Sequence, residues 1–162
     1  MNHLVMNKVL RGATRLPNKT EMMRRLIEPL GITGYDLGQQ ENGVLGDIFL
    51  TPREMLKFGL LYLNEGTANG EQIVPRSWVM ESTSTKVRVD DELGYGYFWW
   101  TTTFPWKDRV VESYFAWGYG GQYIIVVPEL ELVVVMTGSN WSTDPKMYMM
   151  DIMREFVIPA CE

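Results

Sequence analysis

The chain has 162 residues, 46% of them hydrophobic, and a formal net charge of −5 from 15 Lys and Arg against 20 Asp and Glu. This length suffices for one domain with one sizeable core, and the hydrophobic fraction argues against a disordered chain. No dense basic run is present, so we expect no nucleic-acid partner. No apolar run reaches the length of a transmembrane segment.

The sequence contains one histidine, His3, and one cysteine, Cys161. A Ser-His-Asp triad or a histidine-based zinc site would therefore depend on a single residue near the terminus, and no intrachain disulfide can form. We expect no metal and no cofactor. The opening "MNHLVMNKVL" is too short and too polar for a signal peptide, and the compartment is left open.

Helices are predicted for the first half of the chain. Apolar spacing over residues 1–10 indicates a helix, and Asn18 with Glu21 resembles a capping box for a second helix that ends at Pro29. The clearest helix starts at Thr51 as cap and stops at Gly66. A shorter helix is expected from Pro75 through "RSWVMEST".

Strands are predicted for the second half. Four segments are rich in aromatic and β-branched residues: "GYGYFWWTTT", "VVESYFAW", "QYIIVV" and "LVVVMT". The last two are joined by the short "PELE" and should pair as an antiparallel hairpin. Asp144 and Pro145 then predict the start of a closing helix.

This order predicts an α+β fold, with helices followed by an antiparallel sheet of about four strands and a C-terminal helix. We expect one partial domain over residues 1–162, helical to about residue 90 and sheet plus closing helix from about 91 to 162.

Common catalytic motifs are missing. The sequence has no Gly-x-Ser-x-Gly elbow and no Gly-x-x-x-x-Gly-Lys loop, and the "GYGG" stretch lacks the spacing of a dinucleotide fingerprint. Asp90 and Asp91 lie in a polar turn, where solvated carboxylates are the simpler interpretation.

Three stretches in fixed order resemble one family: "LIEPLGITGYDLG", "LTPREMLKFGLLYLNEGTANGEQIVPRSWV" and "GYGYFWW…FAWGYGGQYIIVVPELELVVVMTG". They are similar to the C-terminal half of the serine β-lactamase-related family. It includes class C β-lactamases, D-alanyl-D-alanine carboxypeptidases, related esterases and 6-aminohexanoate-oligomer hydrolases. The resemblance implies a β-lactamase/transpeptidase-like fold over residues 1–158.

The family's chemistry uses a Ser-x-x-Lys nucleophile, a Tyr-x-Asn that moves protons, and a Lys-Thr-Gly variant on the strand beside the active site. This sequence contains no Ser-x-x-Lys; the nearest approach is "TSTK", ending at Lys86. Tyr62-Leu63-Asn64 matches Tyr-x-Asn literally, but it lies at the end of a predicted buried helix and we reject it. The resemblance implies that the genuine Tyr-x-Asn precedes residue 1, so no catalytic side chain is assigned here.

The third element falls on Ala116-Trp117-Gly118, where Ala116 replaces the family's lysine or histidine. Loss of that cation favours the esterase or amide-hydrolase side of the family over β-lactam recognition. The resemblance implies that the Tyr119 backbone N–H is one oxyanion donor. The predicted substrate-binding residues are Ala116, Trp117, Gly118, Tyr119, Gly120, Gly121 and Gln122.

Three hypotheses follow. In the first, the chain is the C-terminal portion of a serine hydrolase and is inactive alone. The full-length enzyme would act on a small ester, amide or peptide. Full-length relatives in this family are often periplasmic or secreted. The second is a non-catalytic module that binds peptide or glycan on an aromatic strand face (Tyr95, Tyr97, Trp99, Trp117 and Tyr119). The third is self-association through an exposed sheet edge.

Overall fold

The computed structural model describes residues 18–38, 48–139 and 145–161. The helix predicted over residues 1–10, with His3, and the predicted cap Asp144 lie outside these described residues.

The first described helix, α1 (Asn18–Met22), runs directly into a π-helical turn (Met23–Ile27). The chain leaves this turn through Gly31, whose φ of 62° is in the left-handed region that glycine tolerates. It then forms strand β1 (Tyr35–Leu37), which pairs antiparallel with β2 (Ile48–Leu50).

Helix α2 (Pro52–Leu63) has the ends that the sequence predicts. The Thr51 hydroxyl accepts a hydrogen bond from the Glu54 N–H at 3.3 Å, and Pro52 occupies the first helical position. At the other end, Gly66 has a φ of 88° and donates its N–H to the Leu61 carbonyl at 2.7 Å. Local capping chemistry therefore fixes both ends of α2.

Glu54 connects the first turn of α2 to the chain before β1. Its carboxylate lies 2.7 Å from the Lys57 ammonium and accepts a 3.4 Å hydrogen bond from the Gly34 N–H. The Lys57 hydrogen bond, followed by the Gly34 backbone bond and the lysine charge, outweighs desolvation and lowers the pKa of Glu54.

A small hairpin of β3 (Thr67–Ala68) and β4 (Glu71–Gln72) follows α2, and then helix α3 (Arg76–Thr83). The structure confirms the predicted α3.

Six strands form the main sheet: β5 (Val87–Arg88), β6 (Gly94–Tyr95), β7 (Trp100–Trp106), β8 (Arg109–Gly118), β9 (Gln122–Val127) and β10 (Leu132–Met136). Their order is β10-β9-β8-β7-β6-β5, and every neighbouring pair is antiparallel. The predicted α+β class is confirmed, as is the predicted hairpin of β9 and β10, joined by a 3-10 turn (Pro128–Leu130).

The segment "GYGYFWWTTT", expected as a single strand, is divided into β6 and β7. Gly96 donates its N–H to the Trp99 carbonyl at 2.8 Å, and Phe98 between them has a φ of 69°. A Cβ on Gly96 would lie 2.5 Å from the Ser82 carbonyl oxygen, so close packing against the end of α3 requires glycine. Strand propensity could not predict this division, because it depends on a tertiary contact with α3.

One face of the sheet is closed by helix α4 (Pro145–Ile152), its π-helical extension (Met153–Val157) and a 3-10 turn (Ile158–Ala160). The core on this face contains fully or almost fully buried side chains: Leu93, Phe104, Val111, Phe115, Tyr123, Ile125, Val127, Met149, Met150, Met153 and Ile158.

The opposite face carries α2, which crosses β9 and β10. A Cβ on Gly59 would lie 2.3 Å from Val133 Cγ1 and 2.9 Å from Ile124 Cγ2, so glycine allows the helix to touch both strands. The far side of α2 packs through Leu61 onto a second core with Ile27, Leu30 and Ile32.

Candidate functional site

The C-terminal end of β8 has an open edge in the described part of the chain. Ala116, Trp117 and Gly118 pair with Ile124, Tyr123 and Gln122 of β9. On the other side, β7 begins at Trp100, opposite Phe115, so its ladder stops before Ala116. A sheet edge of this kind offers backbone hydrogen-bonding groups to an extended ligand.

The turn after β8 is made by Tyr119, Gly120 and Gly121. The two glycines have φ values of 86° and 94°, which side chains rarely adopt, and the Gly121 N–H donates to the Gly118 carbonyl at 3.3 Å. The glycines are required by this tight reversal between β8 and β9, which confirms that the turn lies at the start of a strand.

Ala116 and Gly118 place no bulky side chain on the α2 side of this edge, and the Gln122 side chain lies against Gly118, where an added Cβ would be 3.1 Å from Gln122 Cβ. Ala116 pairs with Ile124, whose side chain reaches Gly59 of α2, and directly opposite residues point to the same face. Gly118, two residues on, has the same orientation. Both are only half-buried. Small residues at two successive positions let another backbone approach closely.

Trp117 points to the opposite face. Its ring stacks on Tyr123 at 5.9 Å between centroids and contacts Trp100 at 5.5 Å, beside the core closed by α4. The structure therefore places Trp117 behind the edge as support, and not on the face that Ala116 and Gly118 share.

Tyr119 follows the open edge directly, and its residue surface is 82% exposed. Its backbone comes first in the turn, beside the half-buried Gly118.

Gln122 holds the turn from the far side. Its side-chain amide donates to the Gly138 carbonyl at 2.5 Å and accepts from the Gly138 N–H at 3.4 Å. A Cβ on Gly138 would lie 3.2 Å from the Gly120 carbonyl oxygen, so the segment after β10 lies against the turn. Sequence reasoning missed Gly138; its only signal was a glycine directly after a predicted strand.

Tyr62 lies in α2 with its ring 4.4 Å from Trp99 and 6.5 Å from Tyr114 between centroids. Burial raises the pKa of the Tyr114 phenol well above its usual value, with smaller contributions from Tyr62 and Glu65. Tyr114 therefore stays neutral at ordinary pH. This aromatic cluster packs α2 onto β8, two residues before Ala116.

The five aromatic residues of the binding-module hypothesis occupy different environments. Trp99 is buried against Tyr62, and Tyr95 is half-buried against Trp100. Tyr97 and Tyr119 are exposed, whereas Trp117 supports the core on the other face.

Lys86 of the "TSTK" stretch is ion-paired with Glu81 at 2.7 Å. Within residues 18–38, 48–139 and 145–161, no cluster of His, Cys, Asp and Glu has the geometry of a metal site. No helix of that same part of the chain is long and apolar enough to cross a bilayer.

Comparison with known proteins gives one curated relative of Alkalihalophilus pseudofirmus, itself uncharacterized. It is 24% identical over a 135-residue alignment that covers 76% of this chain and 40% of the relative.

Solved structures that share the fold include two hydrolase-like or penicillin-binding-protein-like chains. A Bacillus anthracis protein assigned as a 6-aminohexanoate-dimer hydrolase superposes with a TM-score of 0.70 at 21% identity, covering 89% of this chain and 38% of that one. An octameric penicillin-binding protein homologue from Pyrococcus abyssi gives a TM-score of 0.68 at 17% identity, covering 93% and 41%. The chain thus spans about two fifths of the length of these proteins.

The β-lactamase family model matches residues 1–152, nearly the whole chain. The sequence motifs, the α+β architecture and this match agree, and the chain belongs to the β-lactamase family.

Proposed function

We propose that this chain is the C-terminal portion of a serine hydrolase that cleaves an ester or amide through an acyl-serine intermediate. The substrate of the complete enzyme is a small ester, an amide or a peptide. The observation that carries the proposal is the open edge at Ala116–Gly118, in a chain of the β-lactamase family.

The edge suits a substrate backbone, because Ala116 and Gly118 present no bulky side chain on the α2 side. Absence of a cation at Ala116 disfavours a substrate carboxylate at this position and favours neutral esters and amides. The name of the Bacillus anthracis neighbour, a 6-aminohexanoate-dimer hydrolase, supports a hydrolase.

In this proposal the Tyr119 N–H is one of two oxyanion donors, and the serine that supplies the other is outside this sequence. One such donor contributes about 3 kcal/mol to transition-state stabilisation. A single donor without a nucleophile gives no turnover, so the chain alone is inactive. The chemistry needs no cofactor.

The first experiment tests inactivity. The purified chain is incubated with a fluorophosphonate and, separately, with a penicillin, and its intact mass is measured. We expect no adduct. A stoichiometric acyl or phosphonyl adduct on a serine would overturn the proposal that this chain lacks its nucleophile.

The second experiment tests the hydrolase assignment itself. The genomic reading frame that encodes this chain is sequenced upstream, where we expect in-frame Ser-x-x-Lys and Tyr-x-Asn. A stop codon and a separate start at Met1 would instead favour the non-catalytic binding module.

The third experiment tests the edge in a longer protein that contains both the nucleophile and this segment. Ala116→Phe should lower kcat/KM by at least about a hundredfold, because its side chain would occupy the substrate's path. Thr137→Val, an exposed change after β10, should leave it unchanged. Equal rates for both variants would contradict a substrate-binding edge.

We also propose that the chain associates with itself through an exposed sheet edge.

A further inference from the structure

The turn between β6 and β7 holds an aromatic residue in an unfavourable backbone conformation. The Gly96 N–H donates to the Trp99 carbonyl at 2.8 Å and closes the turn, whose loop is Tyr97 and Phe98. Phe98 has a φ of 69°, whereas Tyr97 does not lie at positive φ. This is the pattern of a type II turn, whose third position favours glycine or asparagine. A phenylalanine is strained there, because its Cβ crowds the following carbonyl.

Phe98 also differs from the other non-glycine residues that have positive φ in the described part of the chain. Those residues, all with polar side chains, are Glu65, Asn69, Lys107 and Glu131. Phe98 is large and apolar, and 52% of its surface is exposed. A strained backbone and a ring in water both oppose folding, so stability does not explain a phenylalanine at this position. Such conformations are concentrated at sites that bind ligands.

The sheet register places this turn at one end of the open edge. Strand β7 begins at Trp100 opposite Phe115, and Phe98 is separated from β7 by Trp99 alone. An extended ligand that pairs with Ala116–Gly118 would continue the line of β7 past its first residue. We call this position beside Ala116–Gly118 the β7 lane. Phe98 is the loop residue nearer to β7, so it lies where the lane meets the turn.

The two neighbours of Phe98 are held by helices. The Tyr97 ring packs on Trp78 of α3 at 5.3 Å between centroids, and the Trp99 ring lies 4.4 Å from that of Tyr62 on α2. Within the described residues no aromatic ring packs on Phe98. The exposed ring of Phe98 is therefore the aromatic group of this turn that is available to a ligand in the lane.

We propose that Phe98 determines substrate specificity by closing one end of the β7 lane. This proposal rests on the proposed hydrolase function and adds to it a class of substrate. Ala116–Gly118 border the lane over about 10 Å, since a strand rises about 3.3 Å per residue. The residue at its end is apolar, and Ala116 carries no charge. The substrate is a neutral ester or amide whose group in the lane is apolar and short.

Substrate length tests the proposal in a longer protein that contains both the nucleophile and this segment. One ester series is lengthened in the acyl part, from acetate to octanoate, and a second in the alcohol part, from ethyl to octyl. In one of the two series, Phe98→Gly should shift the kcat/KM ratio of long to short substrates at least about tenfold toward the long ones, because removing the ring opens the lane.

Tyr97→Gly is the matched control for Phe98→Gly. It removes a ring of similar exposure, 47%, from the same turn, but that ring packs on α3. Both kcat/KM ratios should stay as in the wild type.

Binding of methyl ketones of matching length, followed by tryptophan fluorescence, separates this proposal from the hydrolase assignment, because ketones cannot be hydrolysed. If no ester is cleaved but Phe98→Gly still shifts binding toward the long ketones, the hydrolase assignment fails and the closed lane stands. If esters are cleaved and Phe98→Gly leaves every ratio unchanged, the role of Phe98 is overturned and the hydrolase assignment stands. Absence of both cleavage and binding would overturn both.

Thermal unfolding of the 162-residue chain tests the strain at Phe98. Phe98→Gly relieves the positive φ and should not lower the unfolding midpoint. Tyr97→Gly should lower it by a few degrees, because it removes the contact with Trp78 at a residue without positive φ. Equal decreases in the two variants would show that Phe98 is retained for stability, and would overturn the proposal.

Discussion

The two faces of the main sheet differ in how completely they are covered. Phe104, Val111 and Phe115 on the α4 side are fully buried. On the other side α2 covers β9 and β10, while Thr103, Val110 and Glu112 of β7 and β8 are exposed. Strand β8 therefore has buried side chains on the α4 face and exposed side chains at Val110 and Glu112 on the α2 face.

This difference separates structural positions from those available for binding. The covered face obtains its stability from dense apolar packing. The α2 face holds the two small residues of the open edge, Ala116 and Gly118. The proposed substrate-binding edge thus lies on the face that the described residues leave incompletely covered.

The largest expected effect comes from removing a side chain of the covered face. Phe115→Ala should lower the free energy of unfolding by about 3–5 kcal/mol, because it leaves a cavity in a fully buried site. Val110→Ala, on the open face of the same strand, should cost less than about 1 kcal/mol. Urea denaturation measures the free energy of unfolding of both variants. Equal decreases would show that the two faces do not differ in their contribution to stability.

A smaller effect is expected where α2 meets the open face. Gly59→Ala should destabilise the fold by about 1–3 kcal/mol, since the new Cβ would lie 2.3 Å from Val133 Cγ1. The loss should occur although alanine is the better helix former by about 1 kcal/mol. Val133→Ala in the same chain should restore part of it, and a double-mutant cycle measures that coupling. A stabilising Gly59→Ala would contradict the close contact.

The cap of α2 should contribute less again. Thr51→Ala removes the hydroxyl that accepts the Glu54 N–H and should cost about 1 kcal/mol in thermal or urea unfolding. Thr51→Ser keeps an accepting hydroxyl on a residue type that caps helices at least as well, so it should not destabilise the fold measurably. If the two variants unfold alike, the side chain does not cap α2.

The smallest effect concerns pH. The pKa of Glu54 is lowered in the folded state, so its contribution to stability is complete above its ordinary value of 4.5 and is lost as pH falls through the folded value. Glu54→Gln should therefore be less stable than wild type near pH 7, and the difference should shrink in acid. Glu71→Gln, at an exposed residue of β4, should show no such pH dependence. A difference that is constant with pH would contradict the role of the charge.

Sequence patterns predicted α2, α3, β8, β9 and β10 because their signals are local. Thr51, Pro52 and Gly66 act within one turn of the helix they delimit. The pairing of β9 and β10 followed from a connection too short for any other arrangement. The α+β class needed only the order of these elements.

The site was predicted less completely. The sequence located the turn at Gly118–Gly121, since glycines before an apolar strand are a local signal. The family resemblance implied that this turn lies beside the substrate-binding site. The sequence could not assign faces: the Trp117 ring packs on Trp100 and Tyr123, whereas Ala116 and Gly118 share the opposite face, and substrate binding by Trp117 stays a prediction. The aromatic partners of Trp117 lie on β7 and β9, so its contacts depend on how the strands pair.

By itself, the sequence determined α2, α3, the β9–β10 hairpin, the fold class, the family and the absence of a Ser-x-x-Lys motif from this sequence, because each of these depends on residues close together in the chain. Only the tertiary structure decided that β7 stops short of Ala116, that Gly138 and Gln122 hold the turn, and that α2 touches β9 and β10 at Gly59. These features depend on contacts between residues far apart in sequence, which no local propensity records.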